Sequence, residues 1–132
     1  MKRTFWFISL ALVLATPAIA LTTETEVESF TVEIRSRMFI PQHVHLHHDR
    51  KTVLRFRSHD TELHTVVAKE LFLSADLNVG GNGAPEFGPN GLKRVIIPAE
   101  GLIEFQFTPA HTGTFSYLCD MPGHNMQAVI VV

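Results

Sequence analysis

Thr114-Phe115-Ser116-Tyr117-Leu118-Cys119-Asp120-Met121-Pro122-Gly123-His124-Asn125-Met126-Gln127-Ala128-Val129-Ile130-Val131-Val132 reads as two β-strands joined through a tight loop. Thr114 to Leu118 and Met126 to Val132 carry the strand patterns, and Pro122-Gly123 marks the turn between them. Upstream, Val27 to Arg35 alternates apolar and polar residues through Phe30, Val32 and Ile34. Gln42 to His47 alternates through Val44 and Leu46, and Thr52 to Arg57 carries Val53, Leu54 and Phe56. His64 to Ala68, Lys93 to Ile97 and Leu102 to Phe107 complete eight strand signals, separated by Pro41, Pro98, Gly101, Pro109 and Gly113. No stretch has a helical period, and there is neither an internal repeat nor a second domain. Many short strands with Gly and Pro punctuation predict an all-β, two-sheet β-sandwich with Greek-key connections. Leu71 to Gly91 breaks the pattern: Gly80-Gly81-Asn82-Gly83 and Gly88-Pro89-Asn90-Gly91 make it a long loop, functional or mobile.

The chain of 132 residues opens on Met1-Lys2-Arg3, an apolar run from Thr4 to Ala15, and Thr16-Pro17-Ala18-Ile19-Ala20. This is the pattern of a secretory signal peptide cleaved after Ala20, its apolar run of about 12 residues falling short of the roughly 20 that cross a bilayer. Residues 1–20 are therefore read as a signal peptide and 21–132 as the mature domain, periplasmic or secreted and without stable membrane insertion after cleavage. The mature chain has nine basic residues against 13 acidic ones, a net −4, and its Lys and Arg are scattered. Phosphate backbones require a clustered basic excess, so nucleic acid is excluded as a partner. An exported chain with a single cysteine, Cys119, makes no internal disulfide. That thiol is either buried and inert or protected by a bound metal.

The loop puts a thiolate, an imidazole and a thioether, Cys119, His124 and Met126, within a few residues of one another. One Cys sulfur and two His nitrogens with a weak axial Met make the trigonal site of electron-transfer copper. His64 supplies the missing histidine, following the polar turn Ser58-His59-Asp60-Thr61-Glu62-Leu63, which in a sandwich can lie at the same end as the Cys119 loop. Read singly, Cys119 fits a buried small hydrophobe and His124 a turn residue; the joint spacing favours copper. Met121 is expected to pack against the loop.

From about Phe30 to Val132 the sequence resembles the cupredoxin family, the plastocyanin and azurin group of small copper proteins. Phe39-Ile40-Pro41 resembles an early Phe-x-Pro, Phe56 to His64 a strand-turn-His segment, Gly113 to Cys119 the last approach to the metal, and Met126 to Val132 the closing strand. The resemblance implies one type 1 copper held by His64, Cys119 and His124 with Met126 as axial ligand. Ser58 stands where the family's turn Asn is expected to tie that turn to the Cys loop. Only Asn125 separates His124 from Met126, a shorter gap than the family commonly has, and Gln127 is the alternative axial group.

Gln42-His43-Val44-His45-Leu46-His47-His48 places Val44 and Leu46 on one strand face and His43, His45 and His47 on the other. The row reads either as a solvated face or as a second, exposed site for Cu or Zn completed by His48 or Asp49. His59 and His111 lie in turns as exposed polar residues. Arg35, Arg37, Arg55 and Arg57 read as a solvated face or as a basic patch that steers an acidic partner. The function expected is one-electron transfer, with His124 as electron exit and a redox partner protein docking there. The alternative is copper tolerance, storage or delivery, with a copper-donor or acceptor protein as partner. An enzyme is not expected, since copper catalysis usually needs further centres or an open coordination position. The protein is expected to be a monomer.

Overall fold

The computed structural model describes residues 17–132; the signal-peptide reading of 1–20 lies outside them but for its last four residues. Eleven strands follow in chain order: β1 (Glu28–Arg35), β2 (Met38–Ile40), β3 (His43–His45), β4 (Thr52–Ser58), β5 (His64–Val66), β6 (Asn78–Gly81), β7 (Ala84–Gly88), β8 (Gly91–Ile97), β9 (Leu102–Phe107), β10 (Thr114–Cys119) and β11 (Met126–Val131). Among the described residues there is no helix. The expected eight strands are present, with ends shifted by at most two residues.

One layer is a five-stranded sheet in the order β2-β1-β4-β9-β6. The other layer is divided into two three-stranded sheets, β10-β11-β3 and β5-β8-β7. They are stitched by one bridge, Val67 to Leu118, whose two backbone bonds measure 2.9 and 3.1 Å. The layers share one core. Val32, Ile34, Leu54, Phe56, Ile103 and Phe105 of the large sheet meet Val66, Val95, Ile97, Tyr117, Ala128 and Ile130 of the other two. Phe56 is 1% exposed and contacts Tyr117, Phe39 and Phe105 with ring centroids 5.4, 6.0 and 5.9 Å away. Burying such a side chain contributes about 1.5–3 kcal/mol.

The segment 71–91 is more ordered than its composition predicts. It holds β6, which pairs with β9, and β7, which pairs with β8. Glycine permits the first pairing: a Cβ on Gly81, whose φ is +94°, would lie 2.1 Å from the Leu102 carbonyl oxygen. On Gly83 it would lie 2.2 Å from the Ile103 side chain. The glycines that erase the alternating pattern are what let this edge approach β9.

Candidate metal centre

β10 and β11 pair in antiparallel register with Cys119 opposite Met126, so these residues close the mouth of the loop 120–125. Within it the His124 N–H donates to the Met121 carbonyl at 3.1 Å, turning the imidazole back over the sheet end, and the Met121 side chain packs on the core edge. His64 opens β5 opposite Ile97 of β8, and the Val67–Leu118 bridge brings that strand against β10. His64, Cys119, His124 and Met126 are all buried, and Cys119 is a free thiol.

His64 Nδ1 and His124 Nδ1 lie 3.2 Å apart, and Cys119 Sγ lies 3.7 Å from His124 Nδ1. These three donor atoms all fall within 4.8 Å of one another. An ion with bonds of about 2.0 Å to nitrogen and about 2.3 Å to sulfur, the lengths zinc makes to these ligand types, would fit among these donors. Two neutral imidazoles and a thiolate with a buried thioether beside them are the donor set of one type 1 copper. Met126 points inward and Gln127 is exposed, as alternation along β11 requires.

The sulfur accepts the Thr65 backbone N–H at 3.3 Å. The fully buried Thr65 hydroxyl donates to Asp120 Oδ1 at 2.7 Å and accepts the Asp120 N–H at 2.9 Å. The tie between the first histidine and the Cys loop thus belongs to Thr65 and not to Ser58, whose hydroxyl accepts the Asp60 N–H at 3.2 Å within its own turn. Thr65 lies on the strand itself, one step after His64, where it reaches the loop that the turn does not. Asp120 also receives Arg94 Nη1 at 3.1 Å, and Arg94 Nε pairs with Glu86 at 2.7 Å. Burial pushes the Asp120 carboxyl up, but the Thr65 hydroxyl and Arg94 outweigh it and hold the group below the usual carboxylate range.

Three acidic and basic residues escaped the sequence reading as site neighbours. Asp60 Oδ2 lies 2.9 Å from His64 Nε2, and Glu62 Oε2 lies 3.6 Å from His124 Nε2. Arg37 forks onto Glu62 at 2.6 and 2.7 Å. Asp60, Glu62 and His64 form a second close group of donor atoms, on the outer side of the His64 ring. Two of the four arginines of the proposed basic patch are paired with acids: Arg55 with Glu104 at 2.7 Å and Arg37 with Glu62. The signal available in the sequence was an acidic turn, Asp60-Thr61-Glu62, two residues before the candidate ligand His64.

Of the two readings of the histidine row, a solvated face or a second metal site, the structure gives no support to the second. Val44 and Leu46 are buried and His43 and His45 exposed, as alternation predicts. The His47 ring, however, turns to Glu28 at 2.7 Å, and His48 reaches the Ala110 carbonyl at 3.2 Å. Among the described residues no close group of donors includes any of the four. His59 pairs with Glu33.

Fold and donor set together define a small β-sandwich metalloprotein with one buried cysteine and histidine centre. The family profile of the cupredoxin-like domain matches residues 4–132, and the chain belongs to that family. Among solved structures it is similar to auracyanin A, a "blue" copper protein from the green thermophilic photosynthetic bacterium Chloroflexus aurantiacus. The identity is 16%, over 81% of this chain and 99% of that one, with a TM-score of 0.60. It is also similar to a reduced Cu(I) form of amicyanin, at 17% identity over 79% of this chain and 81% of that one, with a TM-score of 0.50. These likenesses establish the fold. No curated protein matches the chain at a significant level.

Proposed function

We propose that the chain is an exported one-electron carrier with His64, Cys119 and His124 as strong copper ligands and Met126 as the weak axial one. The convergence of two Nδ1 atoms on a buried, unpaired thiol carries this reading. Bound there, copper supplies one-electron chemistry by alternating between Cu(I) and Cu(II). The protein holds the donors from the paired strands β10 and β11, the short loop between them and the start of β5, so the donor set has little freedom to rearrange, and the core keeps water from it. The Thr65 N–H at the sulfur withdraws charge from the thiolate. His124, 8% exposed against 0% for His64, is the ligand nearer the surface and the place where a redox partner protein would couple. Export rests on the basic, apolar and small-residue pattern of residues 1–20. The blue copper protein among the structural neighbours supports the same reading.

Copper reconstitution of the chain from Leu21 onward, followed by visible and electron paramagnetic resonance spectra, tests it. The oxidised protein is expected to be intensely coloured, with a sulfur-to-copper charge-transfer band that Cys119→Ser abolishes. In the same series, Met126→Leu should keep the colour and raise the reduction potential, and Met126→Gln should lower it. Weak absorption typical of nitrogen and oxygen ligands alone would overturn the type 1 centre. A potential unmoved in both Met126 variants would remove Met126 from it.

A further inference from the structure

The inner nitrogens of the two histidines face the sulfur; their outer nitrogens face carboxylates, and one hairpin turn holds both of these. β1 and β2 are joined by Ser36 and Arg37, with φ values of 49° and 57°. Positive φ at both central positions marks a type I′ hairpin turn, which is most often built from Asn-Gly, so a Ser-Arg pair is an uncommon choice. Two successive N–H groups in such a turn can converge into a cradle for an anion. Asp60 fills it: its Oδ1 accepts the Ser36 N–H at 2.8 Å and its Oδ2 the Arg37 N–H at 3.0 Å. With both oxygens accepting backbone N–H groups, the carboxyl is placed as an acceptor toward the His64 ring. An ionised carboxylate only accepts, so the proton between Asp60 and His64 sits on Nε2, 2.9 Å away. The side chain of Arg37 meanwhile fixes Glu62 beside His124.

We propose that the Ser36–Arg37 turn is the outer brace of the metal centre and that Asp60 is its positioning residue, holding the His64 proton on Nε2 and so presenting the Nδ1 lone pair to the ion. This rests on the copper reading above. A carboxylate behind a ligand imidazole fixes its tautomer and ring orientation and raises its basicity, which stabilises the more highly charged metal state. Asp60 therefore favours Cu(II) and lowers the potential.

The test compares Asp60→Asn with Glu104→Gln in the copper-loaded protein. Glu104 pairs with Arg55 on the face of β9 opposite the core, so its variant makes the same charge change without touching the centre. Losing an outer-shell partner of this kind typically costs about 10–100-fold in metal affinity. With that loss confined to Cu(II), the potential of Asp60→Asn rises by about 60–120 mV, at about 59 mV per tenfold change for one electron. Glu104→Gln is expected to leave both quantities unchanged. A second measurement needs no variant: nitrogen-15 NMR of the metal-free wild type should show the His64 ring with its proton on Nε2. Wild-type affinity and potential in Asp60→Asn with the intense colour retained, or an Nδ1-protonated His64 ring, overturns the brace and leaves the copper reading standing. Failure of the wild type to develop the charge-transfer band overturns both.

Discussion

Tyr117 shows how one atom can be out of keeping with its surroundings. The residue is 1% exposed, its ring packs against Phe39 and Phe56 with centroids 4.8 and 5.4 Å away, and burial pushes its phenol pKa upward. Among the described residues nothing accepts from or donates to its hydroxyl. A buried polar group without a partner costs about 1–3 kcal/mol, and the ring fills its place equally well without the oxygen. Tyr117→Phe is therefore expected to stabilise the metal-free protein by about 1 kcal/mol or more in urea unfolding, with an unchanged m-value. A lower midpoint would mean that the hydroxyl is satisfied by ordered water. The same scale separates what could be read beforehand from what could not. Cys119, His124 and Met126 announce themselves because they share one loop, whereas Thr65 meets Asp120 across 55 positions and Asp60 meets Ser36 across 24. Residue type and local spacing carry no record of such contacts, which the fold creates.

At the scale of elements, β1, β4, β9 and β11 were legible because each buries one face and so alternates. β2 has three residues, too few for a pattern, and β6 and β7 are edge strands whose glycines and exposed side chains read as loop. One junction between elements titrates. Glu28, its side chain 8% exposed at the start of β1, accepts the His47 N–H at 2.8 Å and the Thr52 hydroxyl at 2.9 Å and faces the His47 ring at 2.7 Å. Burial raises its carboxyl, but the His47 N–H, the His47 ring and Thr52 together bring it below its ordinary value of 4.5. A depressed carboxylate pKa stabilises the folded state above the unfolded value, and that contribution fades as pH falls through the folded one. Glu28→Gln should cost about 1–3 kcal/mol at pH 7. The difference from wild type should shrink as pH drops below about 4.5, which unfolding curves at a series of pH values will read. A constant difference across that range would show that Glu28 acts through packing and not through its charge.

For the whole molecule, the sandwich was legible from strand number and punctuation, but the division of its second layer was not, because a three-residue β5 followed by the turns after Ala68 leaves only the Val67–Leu118 bridge to join the sheets. That bridge sets His64 beside Cys119, so the weakest seam of the layer lies against the metal centre. Whether the molecule holds one ion or two then separates a carrier from a copper handler. A carrier keeps a single ion and passes electrons, while a handler needs an accessible second place for capture and release. His43 and His45 are the exposed pair on β3, at the edge of its sheet, while His47 is engaged by Glu28 and His48 by Ala110. Two imidazoles without a fixed third donor make a weak site, and both pay for convergence in side-chain freedom. Calorimetric titration with Cu(II) near neutral pH is expected to give one ion per chain in the wild type and in the His43→Gln, His45→Gln double variant alike. His47 is kept in that variant because its loss would disturb Glu28. A second ion in the wild type that disappears in the double variant, and is released at mildly acid pH where imidazoles protonate, would reverse the assignment in favour of copper handling.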